Sequence, residues 1–169
     1  VIDLMTPAQE VAKELVGMAD FESASTDYFE AYKKVISNFK KSILMVAGAA
    51  LQKFMDKLTD EQEILMNAAD MLIYTYATEA MLLRVEKLSK KYNDEKIKVY
   101  KDMLDVFMYD AAQIINKNGV DAVNSFAQSD EQQAMLMGMK RFTKIKPVNV
   151  VAARRNIADN LIKENKYKF

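Results

Sequence analysis

The chain has 169 residues, 24 basic and 24 acidic side chains, half its residues hydrophobic, and neither cysteine nor histidine. That length suits one domain able to bury about two thirds of its unfolded surface. The missing residue types exclude thiol nucleophiles, disulfides, histidine bases and thiolate or imidazole metal sites, including the Glu-x-x-His di-metal bundles. With only four Gly and two Pro, the turns that a sheet of many short strands requires are lacking. The composition predicts a few long helices.

In chain order, Asp3 to Gly17 predicts a short helix, with Thr6 as cap, Pro7 in the first turn, Gln9 completing a capping box and Gly17 as the stop. Met18 to Thr26 is small and polar and reads as a loop. From Asp27 to about Leu58 the apolar residues keep three-and-four spacing, the mark of a long amphipathic helix. Its run Ala47-Gly48-Ala49-Ala50 lacks bulk and reads as a close helix crossing rather than a surface that a ligand approaches. Thr59 to Gln62 looks like a second capping box and a tight link, so the flanking helices are expected to lie antiparallel.

Glu61 to Leu88 is apolar on nearly every side of the helical wheel, interrupted between Ile64 and Val85 by Asn67, Asp70, Thr75, Thr78, Glu79 and Arg84. A helix apolar all round is usually buried, and its charges cut it too short to cross a bilayer. It is therefore expected to be the buried central helix, persisting to Lys90 or Tyr92. Asn93 caps the next helix, which runs to Asn118-Gly119 as its expected end. A shorter helix over Val120 to Ala127 follows, then a capping box at Ser129 opening a helix to about Lys144. Lys146 to Asn149 breaks the chain, and Asn149 caps a last helix from Val150 to about Lys166. The fold class is all-α, a bundle of about five to seven helices in a single domain over 1–169.

No catalytic, cofactor-binding or metal-ligating constellation emerges. Asp70, Glu79 and Arg84 are the sharpest local signal, since charges on a buried helix must be paired; structural pairing with neighbouring helices is preferred over a proton-transferring carboxylate. Met135, Met137 and Met139 are read as core packing rather than a promiscuous methionine-rich surface. From Lys140 to Phe169 nine basic residues face only Asp159 and Glu164. Apolar residues dilute this positive segment and no recognition motif accompanies it, which argues against nucleic acid. The last helix lacks the broad apolar face of a membrane anchor. No signal peptide is read at the start, although opening on Val1 rather than Met leaves room for sequence upstream, and a cytoplasmic location is expected.

Four stretches taken in succession carry a family resemblance: DLMTPAQEVAKEL, MVAGAALQKF, DEQEILMNAADMLIYTYATEAMLLRVEKL and KRFTKIKPVNVVAARRNIADNLIKENKY. Together they resemble the C-terminal helical extension of bacterial acyl-CoA dehydrogenases of the very-long-chain type, across essentially the whole chain. The resemblance implies a parent enzyme whose FAD, acyl-CoA pocket and catalytic glutamate belong to a core upstream, so no functional residue carries over to this chain. It also implies an all-helical domain packed on that core, of a kind implicated in membrane association or dimer arrangement in mitochondrial members. The expected function is a non-catalytic accessory domain of a dehydrogenase of fatty-acid β-oxidation, its partner the catalytic core of its own parent chain, with a homodimer as a further possibility. A free-standing helical interaction module and a lipid-binding bundle are the alternatives.

Overall fold

The computed structural model describes residues 4–16 and 27–166. Six α-helices and no strand occur among the described residues: α1 (Met5–Val16), α2 (Tyr28–Phe54), α3 (Gln62–Ser89), α4 (Asp94–Phe126), α5 (Ser129–Phe142) and α6 (Val150–Glu164), with one 3-10 turn, Met55–Asp60, between α2 and α3. The all-helical class and the helix count follow the sequence reading. Gly17 and the loop expected over Met18 to Thr26 lie outside the described residues.

Side-chain pairs fix the directions of the helices. Lys33 meets Glu86 and Lys40 meets Glu79, a descending register that makes α2 and α3 antiparallel as expected. Tyr28 reaches Asp105, and Lys53 reaches the Phe126 carbonyl, so α2 and α4 run parallel. The pairs Asn116 with Thr143, and Asn124 with Gln132, set α5 antiparallel to α4. Arg154 on Asp110 and Asn156 on Asp102 do the same for α6. Glu14 on Lys41 turns α1 back along α2.

The centre of the bundle is α4, which packs against α2, α3, α5 and α6, with α2 beside it holding α1, α3 and α5. Phe39, Val46, Leu104, Met108, Ile115, Val123, Met139 and Phe142 are among the side chains that fill the space between them. Emptying such a site by truncation to Ala costs about 2–5 kcal/mol. The expectation that Glu61 to Leu88 forms the buried central helix is therefore corrected. Helix α3 lies at one side of the bundle and buries a single stripe: Ile64, Met71, Thr75, Thr78, Leu82 and Val85.

Several other expectations are corrected. Asn118-Gly119 does not end α4, which continues to Phe126 and absorbs the helix foreseen over Val120 to Ala127. Gly119 serves a close approach instead: a β-carbon there would overlap the end of the Met139 side chain and meet Met71 Cε at 3.2 Å. Second, α2 stops at Phe54, where Met55 takes φ 48°, and Thr59 to Gln62 forms no capping box; Glu61 precedes α3 without a side-chain cap. Nor does Ser129 cap α5, whose preceding residue Gln128 makes no side-chain cap bond. Thr6, expected as a cap, lies inside α1, which starts at Met5. Asp27, Asn93 and Asn149 accept the N–H groups of Glu30, Lys96 and Ala152 at 2.8, 3.2 and 3.1 Å, each worth about 1 kcal/mol to its helix. Gly48 sits at the close crossing foreseen for its small-residue run, with its α-carbon against the Ala8 methyl.

Candidate interaction surface

Helix α3 carries two apolar stripes on nearly opposite faces, since at 3.6 residues per turn its buried positions and the set Met66, Ala69, Ile73, Tyr76, Ala80 and Leu83 lie about half a turn apart. All six are exposed, Met66 at 67%, Ile73 at 60% and Tyr76 at 77%. Leu65 and Leu72 widen the second stripe on one side. The exposed apolar area comes to several hundred Å², the size of the largest such patch on a typical monomer. Two stripes explain why the sequence looked apolar all round: one closes the bundle, and the other faces out of it.

The charges once expected inside α3 are placed by the same geometry. Glu79 receives Lys40 Nζ at 2.7 Å, the pairing with a neighbouring helix that was foreseen. Asp70 and Arg84 are exposed, so neither needs burial to be offset, and the expectation of buried charges is corrected. Lys33 on α2 donates to both Glu30 and Glu86 at 2.9 Å; these bonds hold its ammonium up to about 12. Thr78 donates to the Tyr74 carbonyl at 2.6 Å, whereas the buried hydroxyl of Thr75 finds no partner among the described residues.

A second polar cluster, missed in the sequence, joins the start of α2 to α4. Tyr28 and Tyr32 both donate to Asp105 Oδ1 at 2.6 Å. Burial, then the hydrogen bond to the Asp105 carboxylate, pushes both phenols well above their ordinary value. The arrangement ties α2 to α4 as a latch. Its sequence signal was two tyrosines four apart at a helix start, indistinguishable there from core residues.

The methionines divide: Met135 and Met139 are buried as foreseen, and Met137 is exposed. In the basic C-terminal segment, Arg154 binds both Asp110 oxygens, at 2.8 and 3.0 Å, and Arg141 donates to the Glu14 carbonyl at 3.4 Å. Lys144, Arg155 and Lys163 are exposed. Part of the positive surplus thus ties α6 and α5 to the bundle, and part is a solvated face.

Hollows on the described surface include two between helices. One, about 240 Å³, lies between α1, α2 and α5 and is lined by Ala8, Leu15, Met45, Gly48 and Met135 among others. The other, about 280 Å³, lies between α4 and α6 beside Asp102, Asp105, Asn149 and Asn156. Both fall below the roughly 300–1,000 Å³ of small-molecule sites. No group of three or more metal-ligating side chains, and no helix long and apolar enough to cross a membrane, occurs among the described residues.

A family model described as "Acyl-CoA dehydrogenase, C-terminal domain" matches residues 38–141. The chain belongs to that family. It is 29% identical over 166 residues to a probable acyl-CoA dehydrogenase of Bacillus subtilis (strain 168), covering 98% of this chain and 28% of that protein. The crystal structure of an acyl-CoA dehydrogenase complexed with FAD from Bacillus anthracis superposes with a TM-score of 0.89 at 31% identity, covering 99% of this chain and 28% of that one. The chain therefore spans little more than a quarter of these dehydrogenases, and its fold is that of their helical C-terminal domain.

The match invites the question whether this acyl-CoA dehydrogenase domain could itself hold FAD. The hollow beside α6 presents Lys98, Asn149 and Asn156 as well as Asp102 and Asp105, and the other is lined mostly by apolar side chains; at about 280 and 240 Å³ neither has the volume that a dinucleotide needs.

Proposed function

We propose that this chain is a single non-catalytic domain of an FAD-dependent acyl-CoA dehydrogenase, working in the cytoplasm by packing on the catalytic part of its parent. The observation that carries the reading is the exposed apolar stripe of α3, on a chain that spans 28% of its dehydrogenase relatives. Apolar patches of this size on a monomer are often functional, and covering one removes apolar surface from water. A free-standing interaction module is less well supported, because it leaves the family likeness unused. A lipid-binding bundle has even less support, because neither hollow offers an apolar tunnel.

In this reading flavin, acyl-CoA and catalytic base belong to the rest of the enzyme, and the domain contributes stiffness and assembly. Two measurements test it. The purified 169-residue chain is expected to carry no flavin absorbance, while the full-length dehydrogenase reduces its flavin with acyl-CoA at an unchanged rate when Asp70→Asn or Glu79→Gln is introduced. Small-angle scattering of the full-length enzyme is expected to show this domain fixed against the remainder. Flavin co-purifying with the isolated chain, or scattering from a domain on a free tether, ends the proposal.

A further inference from the structure

The exposed stripe of α3 is ordered more narrowly than a general apolar patch. Met66, Ala69, Ile73, Tyr76, Ala80 and Leu83 follow a strict alternation of three and four residues, the spacing at which one helix presents knobs to another lying nearly parallel to its axis. The stripe is straight over about 26 Å at 1.5 Å per residue. A curved protein surface or a strand would not call for that spacing. Ala69 and Ala80 are small enough to let a second helix axis come close at two levels.

Charge gives the direction of that helix. Along the flank facing away from α2, the exposed charges are Glu63 and Asp70 in the N-terminal half and Arg84 in the C-terminal half, with exposed Lys87 at the next seam position beyond Leu83. Helices favour acids in their first turn and bases in their last. A partner running antiparallel therefore brings its basic end to Glu63 and Asp70 and its acidic end to Arg84 and Lys87. The opposite flank is already occupied, because Glu79 and Glu86 are bonded to Lys40 and Lys33 of α2.

We infer that the exposed stripe of α3 receives one amphipathic helix of the dehydrogenase portion that this chain does not span, laid antiparallel to α3. The inference rests on the docking reading above and adds the face, the kind of element and its direction. The parent supplies the occupant because this chain covers 28% of each relative's length; the uncovered face and the absent larger part of the enzyme are complementary.

Because the chain has no cysteine, single cysteines report on this face cleanly. Ile73→Cys, Tyr76→Cys and, as a control on α6, Ile162→Cys are labelled with a maleimide in the isolated chain and in the full-length dehydrogenase, and read by mass spectrometry of the labelled peptide. Ile162 is 75% exposed. Labelling at residues 73 and 76 is expected to slow by about ten-fold or more in the full-length protein, as for a site open a tenth of the time or less, with little change at 162. Adding Asp70→Lys together with Arg84→Glu is expected to return much of the labelling, with circular dichroism unchanged. Protection of other faces in the full-length protein, with residues 73 and 76 still reactive, overturns this inference and leaves docking intact. No protection anywhere overturns the docking reading itself. A dimer of the isolated chain that protects residues 73 and 76 puts a second copy on the stripe and overturns the inference.

Discussion

One carboxylate oxygen of Asp105 holds two partly desolvated phenols, of which Tyr28 also donates to the Lys101 carbonyl at 3.3 Å. Asp105→Ala is expected to lower stability by about 2–3 kcal/mol, measured by urea unfolding. The sign of the pH dependence follows from the raised phenols. The folded state keeps protons that the unfolded chain gives up past about pH 10, so stability is full below that pH and falls as pH rises further. Lys33, held up to about 12, adds a slope of the same sign. Unfolding free energies measured between pH 9 and 11 should fall less steeply in the double variant Tyr28→Phe, Tyr32→Phe; an unchanged slope counts against the latch. Thr75 makes the opposite case: its buried hydroxyl finds no partner among the described residues. Thr75→Val keeps the branched shape and is expected to add about 1 kcal/mol, and a loss of stability would show that the hydroxyl has a partner in solution.

At the scale of helices, the close crossing of α1 over α2 depends on Gly48, where a β-carbon would overlap that of Ala8. Gly48→Ala adds about 1 kcal/mol of helix propensity against an overpacking cost of about 1–3 kcal/mol. The net expectation is faster amide hydrogen exchange confined to α1, with α2 to α6 unchanged; uniform exchange would show that α1 is not separately held. What could be read from the sequence follows the reach of each signal. Asn93 and Asn149 act within one turn, so residue order alone located those two helix starts. Gly119 looked like a stop because a glycine after an asparagine favours one locally; the side chains of Met139 and Met71, far along the chain, decide otherwise. Periodicity marked the apolar residues of α3 but could not tell a stripe facing its own bundle from one facing out. The outward face was therefore visible as composition and invisible as exposure, and the charges beside it were mistaken for buried ones.

For the molecule as a whole, α4 touches four helices and α2 joins α1 to the rest, so no group of helices has a core of its own. The chain is expected to unfold in one transition, with fluorescence and circular dichroism midpoints coinciding. Two separated midpoints would divide 1–169 into more than one unit. The same connectivity makes α3 a rigid mount: ion pairs to α2 on one flank and buried packing against α4 fix its outward side in place. A partner meeting that side encounters preset side chains and loses little freedom in ordering them.

Two of the six outward seam positions on α3 are alanines, and this has a bearing on strength. Joined in one polypeptide, two surfaces meet at an effective concentration in the millimolar range. A contact of modest intrinsic affinity then stays closed nearly all the time, and the same contact between separate molecules at micromolar concentration stays mostly open. On the proposed docking, the stripe meets a partner it never has to find, and a contact of modest affinity suffices there.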